Sequence, residues 1–229
     1  MSETVVLCGS LGATSAVWEG QAPALAGRRV VTVEHPGHGG APVSPARDMA
    51  ALARRVLDAA GEEPFAFVGL SLGGAVGMRL ALDAPGRVER LVLACTSARF
   101  GPAEQWLERA EVVRREGLGS IADTIVGRWF TLAFAERERF RELFLSTDPE
   151  GYARCCEALA AWDAREELHA IDVPTLVVSG AGDVAAPPEA GAFVAEHIPG
   201  ARHVVLEDAA HLANVERPDA FNALLGEFL

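Results

Sequence analysis

Along this chain, short blocks of consecutive apolar and often β-branched residues alternate with longer stretches whose apolar positions recur at three- and four-residue spacing. The blocks cover residues 4–8, 30–34, 65–70, 89–95, 175–179 and 202–206. Most are almost unbroken in hydrophobicity, as strands of a parallel sheet covered on both faces are. The helical stretches near 17–26, 47–60, 72–84, 188–198 and 218–229 fall between and after them. Strand–helix alternation with short connections predicts right-handed crossovers and a doubly wound α/β sheet. Residues 100–171 break the rhythm, with helical patterns at 103–116, 121–131, 136–145 and 151–162 and no strand. Trp106, Ala110 and Val113 recur at helical spacing there, as do Phe140 and Phe144. The predicted organisation is a core built from 1–99 and 172–229 and a helical cap at 100–171 after the fourth strand. A cap at the strand ends would lie over the ligand crevice and act as a lid. The alternative is a helical bundle that only widens the core.

Composition narrows the class of function. The chain has 229 residues, half of them apolar, and a formal net charge of −12. That suits one folded domain. An acidic surface repels phosphate backbones and anionic lipids, which argues against a nucleic-acid partner and otherwise serves solubility. No apolar run is long enough to span a membrane, and the opening MSETVVLCGS lacks the basic start and apolar stretch of an export signal. The four cysteines, Cys8, Cys95, Cys155 and Cys156, show no CxxC spacing and read as buried thiols in a reducing cytoplasm.

The chemistry concentrates at residues 65–74, FAFVGLSLGG, a buried strand followed at once by GxSxG and a helix. The bare pattern is weak evidence in a chain with this much glycine. Its place on a strand-to-helix junction is what carries weight. A serine on so sharp a bend has a strained backbone, and side chains two residues either side would collide, so Gly69 and Gly73 are required there. The bend lifts the Ser71 hydroxyl above the sheet and puts the Leu72 N–H at a helix N-terminus, where it stabilises negative charge. A tight turn with an idle serine is the bland alternative. A serine nucleophile needs a base, and in this architecture acid and histidine follow it in that order. Asp183 stands just past the strand at 175–179, and His211 just past the last strand. Asp183 would fix the His211 tautomer and stabilise the imidazolium. Glu207 and Asp208 compete as the acid. His35, His38, His169, His197 and His203 compete as the base, although His35 and His38, in the turn HPGHGG, read better as loop-fixing residues. The loop after the first strand, CGSLG at 8–12, offers the Leu11 N–H as a second oxyanion donor, unless it is an ordinary glycine turn. No histidine pair has metal-ligand spacing, so neither a metal nor another cofactor is expected.

These residues together resemble the α/β-hydrolase superfamily over nearly the whole chain. The segments SLGATSAVW at 10–18, HPGHG at 35–39, GLSLGGAVG at 69–77, RWFT at 128–131 and AHLANVERP at 210–218 resemble 3-oxoadipate enol-lactonases more narrowly. The resemblance implies an α/β-hydrolase fold and cleavage of a five-membered enol-lactone bearing a carboxymethyl arm, giving 3-oxoadipate in aromatic catabolism. It carries the triad onto Ser71, Asp183 and His211. It also carries a substrate-lining tryptophan onto Trp129, for which packing within the helices is the alternative. Two departures stand out. Members usually begin with an additional β-hairpin, whereas this chain starts at Thr4, so the sheet is predicted to be mostly parallel with about six strands. The acid loop reads GDVAAP, where proline commonly follows the aspartate, which bears on substrate fit. Arg128 and Arg99 are candidates to meet the carboxymethyl arm, a solvated surface arginine being the alternative for each. An esterase, another lactonase or a carbon–carbon bond hydrolase uses the same triad, and a non-catalytic binding protein of this fold is the remaining class. The expected partner is a small-molecule substrate, without nucleic acid or membrane.

Overall fold

The computed structural model describes residues 4–229. Residues 1–3, which the expected core segment 1–99 includes, lie outside the described residues. The strands are β1 (Thr4–Cys8), β2 (Arg29–Val33), β3 (Phe65–Leu70), β4 (Val88–Ala94), β5 (Thr175–Gly180) and β6 (Arg202–Leu206). They form one six-stranded sheet in the order β2-β1-β3-β4-β5-β6 with every pair parallel. The order reverses between β1 and β3, so the loops after these two strands diverge and leave a crevice at their carboxyl ends.

Burial explains the alternation only in part. Every residue of β3 and β5 is buried. The blocks at β2 and β6 also carry apolar runs, yet Val30 is 43% and Val205 37% exposed, because these two strands form the sheet edges. The helix expected near 17–26 is instead a 3-10 helix, Ser15–Gln21, followed by turns. Gly20 and Pro23 lie inside that stretch; one raises the entropic cost of an α-helix and the other removes a ladder donor.

Side-chain caps set the starts of two α-helices. Helix α1 (Met49–Ala60) starts where the Asp48 side chain accepts from the Ala51 N–H at 2.7 Å, and it buries Met49, Leu52, Ala53, Val56 and Ala60 along one stripe. Helix α2 (Leu72–Asp83) follows β3 directly. Between β4 and β5 run α3 (Ala103–Glu116), α4 (Ala122–Trp129), α5 (Arg137–Leu145) and α6 (Pro149–Ala160). Helix α6 begins before the expected residue 151, because Asp148 caps the N–H groups of Glu150 and Gly151 and Pro149 fits the first turn. The chain closes with α7 (Pro188–His197), α8 (Ala213–Glu216) and α9 (Pro218–Phe228).

The α3–α6 segment rests on the loops at the carboxyl end of the sheet. The Asp148 N–H donates to the Gly37 carbonyl at 2.8 Å after β2, and the Leu212 N–H donates to the Trp129 carbonyl at 2.9 Å after β6. Among the described residues no helix is long and apolar enough to cross a membrane.

Helix α2 packs against the sheet through Gly77. A Cβ there would come within 2.7 Å of the Phe67 ring and 3.1 Å of Leu91 Cδ1, both buried. In α9, a Cβ on Gly226 would meet nothing within 4 Å. The same substitution in these two helices should therefore have opposite signs. Gly77→Ala is expected to destabilise by about 1–3 kcal/mol through overpacking, and Gly226→Ala to stabilise by roughly 0.5–1 kcal/mol through helix propensity. Urea titrations of both variants check this; equal shifts of the midpoint would contradict the packing argument.

Candidate active site

Ser71 sits between β3 and α2 with φ 57 and ψ −111, a conformation that non-glycine residues rarely adopt. The space around it is fully taken. A Cβ on Gly69 would lie 2.3 Å from the Gly73 carbonyl oxygen, and one on Gly73 would lie 2.1 Å from that of Cys8. A Cβ on Gly74 would strike the Thr96 side chain at 2.6 Å. The bend is held from both neighbouring strands. Ser71 N–H donates to the Ala94 carbonyl at 2.8 Å, the Thr96 hydroxyl donates to the Ser71 carbonyl at 2.7 Å, and Gly73 N–H donates to the Gly9 carbonyl at 3.1 Å.

The structure brings Ser71, His211 and Asp183 into one chain of hydrogen bonds. Ser71 Oγ lies 2.8 Å from His211 Nε2, and His211 Nδ1 lies 2.8 Å from Asp183 Oδ2. All three side chains are buried. The second Asp183 oxygen accepts from the N–H groups of Ala185 at 2.8 Å and Ala186 at 3.0 Å, so the carboxylate is filled on both sides. That assignment makes Nδ1 the donor and leaves Nε2 to accept the serine proton. The rival carboxylates are elsewhere: Glu207 is exposed, and Asp208 is exposed and pairs with Arg217 at 3.2 Å. Of the rival histidines, His203 meets Ser179 at 2.9 Å, His197 meets the Phe193 carbonyl at 2.8 Å, and His169 is exposed.

The acid and histidine loops are stitched together by main-chain bonds from Ala181 N–H to the Leu206 carbonyl at 2.9 Å and from Gly182 N–H to the Ala209 carbonyl at 2.8 Å. Glu216 adds a tie that no sequence pattern announces. One of its oxygens accepts from the Thr131 N–H at 2.9 Å and hydroxyl at 2.7 Å, and the other from the Ala210 N–H at 2.6 Å. The end of α4 and the His211 loop thus share one half-buried anchor.

On the other side of Ser71, the loop after β1 carries Leu11. Gly12 N–H donates to His38 Nε2 at 2.9 Å, and His38 Nδ1 donates to the Pro36 carbonyl at 2.9 Å. His35 Nε2 donates to the Gly9 carbonyl at 2.8 Å. Both histidines therefore hold the loop rather than the serine. Leu72, first residue of α2, has no earlier carbonyl inside its helix for its N–H. The Leu11 and Leu72 N–H groups, which flank Ser71 in different loops, have no main-chain acceptor among the described residues outside regular elements.

Ser71, His211 and Leu11 open into a cavity of about 220 Å³. Its far wall comes from the α3–α6 segment: Trp106, Arg109, Arg128, Trp129 and Tyr152 all line it. Trp129 is buried, edge-on to Phe144 at 5.7 Å, so it both lines the cavity and packs between helices. Arg128 is an exposed part of the lining. Arg99 is not among the lining residues; it is 44% exposed and lies 4.0 Å from Asp163. Arg109 and Tyr152, absent from the sequence-based candidates, have no local motif to betray them. Their helical spacing reads simply as amphipathic.

Comparison with known proteins places this geometry. Residues 5–224 match the family described as "Alpha/beta hydrolase family". The chain is 38% identical over 232 residues to 3-oxoadipate enol-lactonase 2 of Acinetobacter baylyi, covering 95% of this chain and 85% of that protein. It superposes on the crystal structure of the enol-lactonase from Burkholderia xenovorans LB400 with a TM-score of 0.93 and 39% identity, covering 100% and 91% of the two chains. It superposes on a thermophilic esterase from Thermogutta terrifontis with a TM-score of 0.90 and 31% identity, covering 98% and 88%.

The loop-holding histidines give the fold a pH dependence. Burial pushes His35 down to about 4, and burial together with neighbouring His35 pushes His38 down to about 3. Above about pH 6.5 both rings are neutral folded and unfolded, and their contribution is complete. As pH falls below that value the unfolded chain takes up protons that the fold refuses, so stability is lost progressively toward about 4 for His35 and about 3 for His38. His38→Gln keeps an acceptor for the Gly12 N–H but removes one titrating ring. Its melting temperature should fall less steeply than that of the wild type between pH 6.5 and 4.5 in scanning calorimetry; parallel slopes would remove His38 from the account.

Proposed function

The chain belongs to the alpha/beta hydrolase family, and on that premise we propose that it is a serine-dependent lactone or ester hydrolase whose substrate is 3-oxoadipate enol-lactone. The observation that carries the reading is the hydrogen-bonded sequence Ser71–His211–Asp183 opening into the cavity. The relatives named above favour the enol-lactone within that class. The cavity, at about 220 Å³, falls below the roughly 300–1,000 Å³ usual for drug-sized ligands and suits a six-carbon lactone.

In this mechanism the Ser71 hydroxyl attacks the ring carbonyl while His211 Nε2 takes its proton. Asp183 holds the ring in the right tautomer and stabilises the imidazolium. The oxyanion is held between the Leu11 and Leu72 N–H groups, each worth about 3 kcal/mol of transition-state stabilisation. Collapse breaks the bond to the ring oxygen. That oxygen leaves as an enolate, takes the proton from His211 and becomes the ketone by tautomerisation. The acyl chain remains on Ser71 until water, deprotonated by His211, attacks it and frees the carboxylate. One water is consumed and no electrons are exchanged. Trp129 supplies apolar wall beside the ring. The α3–α6 segment acts as the cap of this reading, and the four buried cysteines support a reducing, cytoplasmic setting.

Ser71→Ala should lower turnover of the enol-lactone by at least about 10⁴-fold while the circular dichroism spectrum and melting temperature stay near those of the wild type. A fluorophosphonate probe should label the wild-type protein at Ser71 alone. Hydrolysis retained by Ser71→Ala would exclude the nucleophile. Faster turnover of simple aryl esters than of the enol-lactone would make the protein an esterase on the same triad. An unlabelled and inactive wild type would make it a binding protein.

A further inference from the structure

The cavity has an electrostatic character opposite to that of the molecule. In a chain of net charge −12, no Asp or Glu is among the described residues that line it, whereas Arg109 and Arg128 both are. Asp183 lies behind His211, committed to three hydrogen bonds.

Arg109 differs from most of the chain's other guanidinium groups. Most of those have a carboxylate partner, as Arg114 has in Glu150 at 2.7 Å and Arg79 has in Asp83 at 2.6 Å. None is recorded for Arg109 among the described residues; its guanidinium carbon instead lies 4.4 Å from the centre of the Trp106 ring. Trp106 is itself fixed, its indole N–H donating to the Phe100 carbonyl and its ring edge-on to Phe100 at 6.4 Å. A guanidinium laid on an aromatic face keeps its N–H edge free for a planar anion. Tyr152 supplies a second sign. Its side chain is fully buried on the cavity wall, with the Arg109 guanidinium facing its oxygen, and its O–H has no acceptor among the described residues. A buried hydroxyl left unsatisfied costs about 1–3 kcal/mol, and a ligand oxygen would recover it. Burial keeps that hydroxyl protonated, and Arg109 is near enough to act on it in the opposite sense.

We propose that Arg109, on the face of Trp106, and the Tyr152 hydroxyl form a carboxylate subsite, so that the substrates of Ser71 carry a free carboxylate on the chain that is acylated. The proposal rests on the reading of Ser71 as nucleophile. Arg109 supplies two parallel N–H donors to the carboxylate and Tyr152 a third. The anchor holds one end of the substrate while Ser71 attacks the carbonyl at the other. Uncharged esters of the same length gain nothing from it.

The test compares the mono-4-nitrophenyl ester of adipic acid with the same ester capped by a methyl group on its free acid. The wild type is expected to prefer the free acid, and Arg109→Gln to reduce the ratio of the two kcat/KM values by at least about tenfold. Arg109→Lys, which keeps the charge and loses the fork, should fall between them. Tyr152→Phe should reduce the ratio by roughly two- to tenfold. The same change at exposed Arg128 should move the ratio less than Arg109→Gln does. A ratio unmoved by Arg109→Gln would overturn the subsite even with Ser71 fully active. The nucleophile is checked apart, by binding in Ser71→Ala protein followed through tryptophan fluorescence. There adipate is expected to bind at least about tenfold more weakly once Arg109→Gln is added, and unchanged affinity would overturn the subsite whether or not Ser71 is catalytic.

Discussion

The backbone of one residue, Ser71, constrains much of what surrounds it. A non-glycine residue at positive φ costs about 1–3 kcal/mol and persists only where its surroundings leave no alternative. Here the surroundings are the two strands flanking β3. The end of β4 and its following residue Thr96 hold the Ser71 N–H and carbonyl, and the loop after β1 holds Gly73 N–H through Gly9. An edge strand, with a neighbour on one side only, lacks half of these partners. The central place of β3 in the order β2-β1-β3-β4-β5-β6 is therefore part of what makes the bend stable. Bare glycine Cα atoms at 69 and 73 are the local counterpart, since the bend closes until carbonyl oxygens occupy the space of a Cβ.

Asp183 and His211 come from less favoured ground. β6 is an edge, and His211 lies five residues beyond it. The fold compensates with cross-ties: main-chain bonds join the loops after β5 and β6, and Glu216 bonds Ala210 on one side and Thr131 on the other. With Leu212 N–H on the Trp129 carbonyl, the end of α4 cannot swing away without breaking bonds to the histidine loop. The segment over the crevice is thereby pinned at Trp129–Thr131, and again before α6, where Asp148 N–H donates to the Gly37 carbonyl.

Much of this was legible because the decisive signals are local. A buried strand running into GLSLGG, and an aspartate and a histidine each just past a late strand, need only a few neighbours to be recognised. The sheet edges were only partly legible, since β2 and β6 carry apolar runs like those of central strands, with Arg29, Arg202 and His203 as a polar hint within them. The Asp148–Pro149 pair was a readable helix start that periodicity alone placed two residues late. The stretch 17–26 shows the reverse error, a helical period overruled by Gly20 and Pro23. Glu216, Arg109 and Tyr152 stayed hidden for a different reason. Each looks like an ordinary surface or core member of its own helix, and its role exists only where elements distant in sequence meet.

The same distinction resolves the contrast between an acidic molecule and a cavity lined by cations. Surface charges act on a ligand through water and ions, over a Debye length of about 8 Å at physiological ionic strength. Groups inside a cleft act across low-dielectric walls and are screened far less. A net charge of −12 spread over the surface therefore sets solubility and the exclusion of polyanions, while the choice of small ligand rests on a few residues within contact distance. An arginine stacked on tryptophan rather than paired with a carboxylate has no competing anion to displace before it meets a ligand. In a chain where Asp and Glu outnumber Lys and Arg by 32 to 20, keeping acids out of the lining is what lets the guanidinium groups of Arg109 and Arg128 set the field there.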